Sequence, residues 1–144
     1  MKYKLKNASE KNLELMIKYK LKNIFEYAIN LSAEEIEKIN NYVNDNIPKQ
    51  IKNYKLIYAN DEIVGALLVL KHLDGVLIDE IHLDEDYRNK KIGSSIILNI
   101  LNSNKIVYLW VYKNNKKGIK LYKKLGFNII EETINRYFME FNNK

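Results

Sequence analysis

The stretch VLIDEIHLDEDYRNKKIGSSIILNILNSNKIVYLWVY, Val76–Tyr112, decides the fold. Val76 to Leu83 is apolar and β-rich, as a strand is. Lys91 to Leu101 then brings Ile92, Ile96, Ile97 and Ile100 to helical spacing, and Ile106 to Tyr112 returns to an apolar β-rich run. A strand, a helix and a strand in that order make a crossover unit whose two strands lie parallel.

Upstream, Tyr54 to Ala59 and Ile63 to Leu70 read as strands joined by the turn residues Asn60-Asp61, and Asp74-Gly75 is a second hairpin signal before Val76. These three strands form an antiparallel meander. Before them come two helices. Ser9 caps the first, whose residues Leu13, Met16, Ile17, Leu21, Ile24, Phe25 and Ala28 make one apolar stripe. Ser32-Ala33-Glu34-Glu35 has capping-box spacing and opens the second, which carries Ile36, Ile39 and Val43 towards Pro48. Downstream, Ile119, Tyr122 and Leu125 lie on a short helix that ends at Gly126, a residue suited to a C-terminal cap. Phe127 to Ile130 and Arg136 to Phe141 read as the last two strands. The class is α+β: helices first, a mixed sheet, and one β-α-β unit in the C-terminal half.

A chain of 144 residues suits one domain spanning 1–144, and it buries enough surface to fold without staples. With no Cys, disulfide scaffolds, zinc-thiolate sites, iron–sulfur clusters and thiol nucleophiles are excluded. His72 and His82 are too few for a His-built centre, so no metal is expected. No segment approaches 18 uncharged apolar residues, and the start, Met1-Lys2-Tyr3-Lys4-Leu5-Lys6, leads into no apolar run. A soluble, cytoplasmic protein without membrane contact is the expectation. The formal charge of +6 favours an anionic partner without naming it.

Between strand and helix lies Leu83-Asp84-Glu85-Asp86-Tyr87-Arg88-Asn89-Lys90-Lys91-Ile92-Gly93-Ser94-Ser95. Such a turn aims several backbone N–H groups and the positive helix end at one spot, which suits a phosphate, and Arg88, Lys90 and Lys91 add attraction. It is neither a dinucleotide-binding fingerprint nor a P-loop, and an ordinary helix start with solvated lysines fits equally. A second cluster runs Asn114-Asn115-Lys116-Lys117-Gly118-Ile119-Lys120-Leu121-Tyr122-Lys123-Lys124-Leu125-Gly126-Phe127.

Together the two segments resemble the GNAT family of acetyl-CoA-dependent N-acetyltransferases. That family has an R/Q-x-x-G-x-G/A loop opening a helix, then, after the next strand, an N-x-x-A-x-x-(F/L)-Y-x-x-x-G-F helix. Arg88 and Gly93 match the first pattern, with Lys91 at the first glycine. Asn115, Leu121, Tyr122, Gly126 and Phe127 match the second, with Gly118 in place of Ala. The likeness covers about residues 54 to 130 and extends to the rest by topology. It implies a mixed, mostly antiparallel sheet of about six to seven strands flanked by about four helices.

The resemblance also implies roles. The amides of Arg88, Asn89, Lys90, Lys91, Ile92, Gly93 and Ser94 would cradle the pyrophosphate of coenzyme A. The strand before the loop would carry a bulge and splay from its neighbour, admitting the pantetheine arm like an added strand. Leu83 would offer its backbone N–H to the thioester carbonyl, and Asn115 would hydrogen-bond the pantetheine. Acetyl-CoA would be the co-substrate, and without a Cys to carry acetyl the transfer would be direct, in a ternary complex.

Tyr122 would serve as acid for the departing sulfur; read by itself, it is an aromatic packed with Ile119 and Leu125. Period 2 puts Glu80 and His82 on one face of their strand, with Asp79, Ile81 and Leu83 on the other. Glu80 stands open between a base acting through water and a cross-strand ion-pair partner for a lysine; His82 reads as an exposed strand residue and His72 as structural. Lys116, Lys120, Lys123 and Lys124 follow helical spacing and read as a solvated face rather than a nucleic-acid surface. The acceptor would be a small-molecule or peptide amine. Its groove, by resemblance, spans Phe25 to Lys52 and Thr133 to Phe141, and Glu34, Glu35, Glu37, Asp45 and Glu132 either attract a cationic acceptor or are plain solvated charges. Two rivals remain, a non-catalytic coenzyme A-binding module and a basic nucleic-acid-binding domain; a homodimer through the last strands is compatible with either enzyme or module.

Overall fold

The computed structural model describes residues 1–144. In chain order it contains β1 (Lys4–Asn7), α1 (Leu13–Tyr27), α2 (Ala33–Gln50), β2 (Tyr54–Ala59), β3 (Glu62–His72), β4 (Gly75–Leu83), α3 (Ile92–Ser103), β5 (Ile106–Tyr112), α4 (Lys116–Leu125), β6 (Asn128–Glu132) and β7 (Arg136–Asn142). The strands are hydrogen-bonded in the order β1-β2-β3-β4-β5-β7-β6. The α+β class, the meander, the crossover and the last two strands stand as the sequence implied. The chain packs as two compact units, one of Lys2–Leu68 with Glu80–Asp84, the other of Met1, Val69–Asp79 and Glu85–Lys144.

In the first unit, α1 and α2 pack on each other. A 3₁₀ turn at Glu10–Asn12 precedes α1, and Ser9 donates its N–H to Asn12 Oδ1 at 3.0 Å. The α1 residues that become fully buried are Met16 and Tyr19. At the start of α2 the capping box is complete: the Glu35 N–H donates to Ser32 Oγ and the Ser32 N–H to Glu35 Oε1, both at 3.1 Å. The bond from the Ser32 N–H is the main reason the Glu35 carboxyl is held below its ordinary range. Instead of stopping at Pro48, α2 runs through it to Gln50. In the last turn a proline forfeits a single donor, and the buried Val43 and Ile47 anchor the helix beside it.

β1 has no counterpart among the elements read from sequence. Its four residues are all exposed although Met1 to Lys6 alternates apolar and charged residues, and Lys4 and Lys6 are typical of a sheet edge. It pairs antiparallel with β2, Lys4 opposite Tyr58. β2 and β3 are joined through Asn60 and Asp61, with φ of 51° and 61°, the signature of a type I′ turn. The register slips between Ile57, opposite Gly65, and Tyr58, opposite Ile63, so Val64 is the extra residue of a bulge.

In the second unit, β5 pairs parallel with β4 from Val76/Val107 to Ile78/Leu109 and antiparallel with β7 along its whole length. β5 runs on to Tyr112, its ladder beyond Leu109 being with β7. α3 lies against β5 and buries Ile92, Ile96, Ile97 and Leu101. The hairpin turn between β3 and β4 falls at Leu73-Asp74, one residue earlier than Asp74-Gly75: Leu73 takes the positive φ of 50°. Gly75 serves another purpose, because a Cβ there would stand 2.2 Å from the Ile106 carbonyl oxygen. Gly126, at φ 107°, ends α4 as expected, and Phe127 beyond it is buried. No helix is long and apolar enough to cross a membrane.

Candidate active site

The loop entering α3 is built by two left-handed residues, Asn89 at φ 60° and Lys91 at φ 67°, after a 3₁₀ turn at Glu85–Tyr87. Lys91 is the N-cap of α3 yet makes no side-chain cap bond, and the first helical bond of the turn runs from the Ser95 N–H to the Lys91 carbonyl at 3.0 Å. The amides of Ile92, Gly93 and Ser94 therefore precede the helix's own hydrogen-bond ladder. Alternating right- and left-handed residues gather such amides into an anion-binding concavity, and the helix dipole adds to it. Arg88 is half-buried, whereas Lys90 and Lys91 are exposed. The donor set, backbone amides with a guanidinium and ammonium groups close in sequence, suits phosphate oxygens.

The position of Lys91 demands the left-handed region, in which a side chain costs about 1 kcal/mol or more. Lys91→Gly should accordingly raise stability in urea titration by about 0.5 to 1 kcal/mol, net of glycine's extra freedom when unfolded. If Lys91 contributes only its amide, coenzyme A affinity measured by calorimetry should stay within about twofold. A large loss of affinity would assign a role to the ammonium group.

Asn115 and Tyr122 both belong to α4. Asn115 is its N-cap and accepts the Gly118 N–H on Oδ1 at 3.0 Å, so its side-chain oxygen serves the helix and its amide nitrogen carries its donor capacity. A Cβ on Gly118 would lie 2.5 Å from Asn115 Nδ2, which is why a glycine accompanies this cap. Tyr122 is half-buried, its ring T-shaped against Phe127 at 5.9 Å. Lys116, Lys117, Lys120, Lys123 and Lys124 are all exposed, as a solvated face requires, while Lys113 pairs with Glu132 and lies 5.1 Å from the Tyr137 ring centre.

In the other unit, the end of β4 buries an acid and a histidine. Glu80 and His82 share a face, as period 2 requires, but both are enclosed, at 2% and 5% exposure, so His82 is not the exposed strand residue expected. The cause is α1: its Tyr19 ring covers His82 at 5.2 Å, and its Lys20 Nζ stands 4.0 Å from Glu80 Oε1. The lysine facing Glu80 thus comes from a helix and not from a neighbouring strand. Tyr54, fully buried on β2, donates its hydroxyl to the same Glu80 oxygen at 2.5 Å. Tyr19 donates to Asp84 Oδ2 at 3.4 Å; burial first, and then that carboxylate's charge, push its phenol up.

Leu83 is half-buried, and the chain beside it is pinned by the Asp84 N–H donating to the Val64 carbonyl at 2.7 Å. Gly65 allows this approach, for a Cβ there would sit 2.0 Å from the His82 carbonyl oxygen. Tyr54, Tyr19, Lys20 and Gly65 escaped the sequence reading. A tyrosine at a strand start and a lysine flanking a helical stripe look alike whether or not they meet a buried acid. Of the acidic residues weighed for the acceptor, Glu35 is engaged in its cap, Glu34 pairs with Lys38 at 3.4 Å, and Glu132 pairs with Lys113. His72 lies edge-on to Tyr108 at 5.2 Å.

Residues 52–129 match the family described as acetyltransferase (GNAT) domain. Among solved structures, the PaiA N-acetyltransferase of Thermoplasma acidophilum, determined in complex with coenzyme A, is 20% identical, with a TM-score of 0.74 and 99% of each chain covered. An acetyltransferase of GNAT family from Staphylococcus aureus Mu50 is 16% identical, with a TM-score of 0.72 over 99% of this chain and 100% of that one. Naa50 of Arabidopsis thaliana, in complex with the bisubstrate analogue CoA-Ac-MVNAL, is 26% identical, with a TM-score of 0.63 over 97% of this chain and 98% of that one. No curated protein sequence matches the chain.

Proposed function

Because the chain belongs to the GNAT acetyltransferase family, we propose that it moves an acetyl group from acetyl-CoA to a primary amine, on a small molecule or a peptide, by direct attack in a ternary complex. The observation that carries this reading is the α3 entry, where two left-handed residues, Asn89 and Lys91, deliver a helix N-terminus with no side-chain cap into a basic loop. The bound co-substrate supplies the acyl group in activated form, as a thioester. Arg88, Asn89, Lys90, Lys91, Ile92, Gly93 and Ser94 hold its phosphates, and Asn115 donates to its pantetheine arm. The Leu83 N–H stabilises the charge that develops on the thioester oxygen. Tyr122 gives a proton to the departing sulfur. Glu80 takes the proton that the acceptor ammonium must lose; since its side chain is enclosed, a water chain conveys it. Holding the amine in line with the thioester is worth several kcal/mol, about the scale of effective molarities.

Coenzyme A complexes of PaiA and Naa50, and the peptide portion of the Naa50 analogue, support this co-substrate and an amine-bearing acceptor. The same reading takes residues 1–144 as one catalytic domain of the cytoplasm and allows two copies to pair through β6 and β7. The test is calorimetry with coenzyme A followed by a thiol-release screen over small amines, polyamines and peptides. Binding together with thiol release for at least one amine is expected. Absence of binding at millimolar concentration overturns the whole reading, and binding without release from any amine leaves a coenzyme A-binding module.

A further inference from the structure

We propose that Tyr54 and Lys20 are positioning residues that fix the Glu80 carboxylate and keep it ionised, so that it is ready to accept a proton. This inference rests on the acetyltransferase reading and deepens it. Glu80 comes from β4, Tyr54 from β2 and Lys20 from α1, and all three lie within one compact unit. The Tyr54 hydroxyl donates to Glu80 Oε1 and the Lys20 ammonium stands 4.0 Å from that same oxygen. The Glu80 side chain has no exposure, that of Lys20 has 17%, and Tyr54 is fully buried.

Burial alone favours the neutral acid, whereas a donated hydrogen bond and a nearby ammonium both favour the carboxylate. Also on this side of the sheet are His82 on the same face of β4, Tyr19 of α1 against its ring, and Asp84, which accepts from Tyr19. Asp84 opposes the effect of Lys20, but its contact is with the Tyr19 hydroxyl, while Tyr54 and Lys20 meet Glu80 itself. A phenol is a fitting partner for a base: it orients one carboxylate oxygen without competing for the proton, which passes from the acceptor's ammonium to Glu80 and later to water. Tyr54 also fixes the rotamer of Glu80, because a fully buried ring cannot follow the carboxylate to another position.

The experiment is the pH dependence of kcat/KM for thiol release with the best amine of the panel, in the wild type and in Tyr54→Phe, Lys20→Met and Lys20→Arg. Loss of either partner should move the acid limb to higher pH by about one unit, with coenzyme A affinity unchanged. Lys20→Arg should keep the limb in place. Thermal unfolding accompanies each variant; if Tyr54→Phe does not fold, Lys20→Met, changed at a partly exposed side chain, decides alone. An active wild type whose acid limb is unmoved in the folded variants overturns this inference while leaving the acetyltransferase reading intact. A wild type that releases thiol with no amine overturns the enzyme reading itself.

Discussion

Tyr122→Phe should lower turnover at least tenfold while leaving the coenzyme A dissociation constant within about twofold, a general acid being worth about 10²-fold or more. The substitution removes one oxygen and keeps the ring, so the T-shaped contact with Phe127 at 5.9 Å and the half-buried seat on α4 persist. Stability should change by about 1 kcal/mol at most, since the ring keeps its place and only one partly buried hydroxyl is lost. This separation is what gives the test its force: if Tyr122 only packs, neither turnover nor affinity responds. An acid role also predicts a selective effect on acyl donors, since a donor whose leaving thiol is more acidic needs less protonation and should lose less rate. Unchanged turnover with acetyl-CoA would remove Tyr122 from the chemistry.

The largest stability effect is expected at Gly65. An alanine there places its Cβ 2.0 Å from the His82 carbonyl oxygen and 3.1 Å from the Leu83 Cα. Both neighbours are backbone, so no rotamer change relieves the overlap, and the strands must separate by more than 1 Å to reach van der Waals distance. The bond from the Asp84 N–H to the Val64 carbonyl, 2.7 Å long, lies beside this contact and would be strained with it. Gly65→Ala should cost about 3 kcal/mol or more in urea titration, at the upper end of overpacking. Because Leu83 moves with the backbone, kcat/KM should fall further than the folded fraction explains. A variant as stable as the wild type would contradict the close approach of the two strands.

Much of this was legible from local pattern because local chemistry set it. The Asn60-Asp61 turn needs positive φ at two successive residues, and these residue types tolerate it. Ser32 and Glu35 form a capping box since its partners are three residues apart. Gly126 ends α4 for the reason that makes glycine a cap anywhere, its freedom at φ 107°. The errors share a cause. β1 alternates apolar and charged residues from Met1 to Lys6 but buries no face, so nothing in the pattern anchors it as a core strand. Leu73 occupies a positive φ that its type disfavours, because Gly75 is required two positions later by the Ile106 backbone. Pro48 is tolerated within α2 through its place in the last turn.

The sequence by itself determined the crossover unit, the basic loop opening α3, and the Asn115-to-Phe127 segment, containing α4, that matches the GNAT acetyltransferases. Each is a run of neighbours in the chain whose spacing is its signal. Only the tertiary structure decided what surrounds Glu80. Tyr54 lies 26 positions from Glu80 in the chain, and Lys20 approaches from a helix instead of a strand. The exposure of a β-strand face depends on what packs over it, and here α1 covers Glu80 and His82. Burial and the partners it brings are properties of the packed chain, which is why a carboxylate legible in sequence as a base or an ion-pair partner acquired both a phenol and an ammonium.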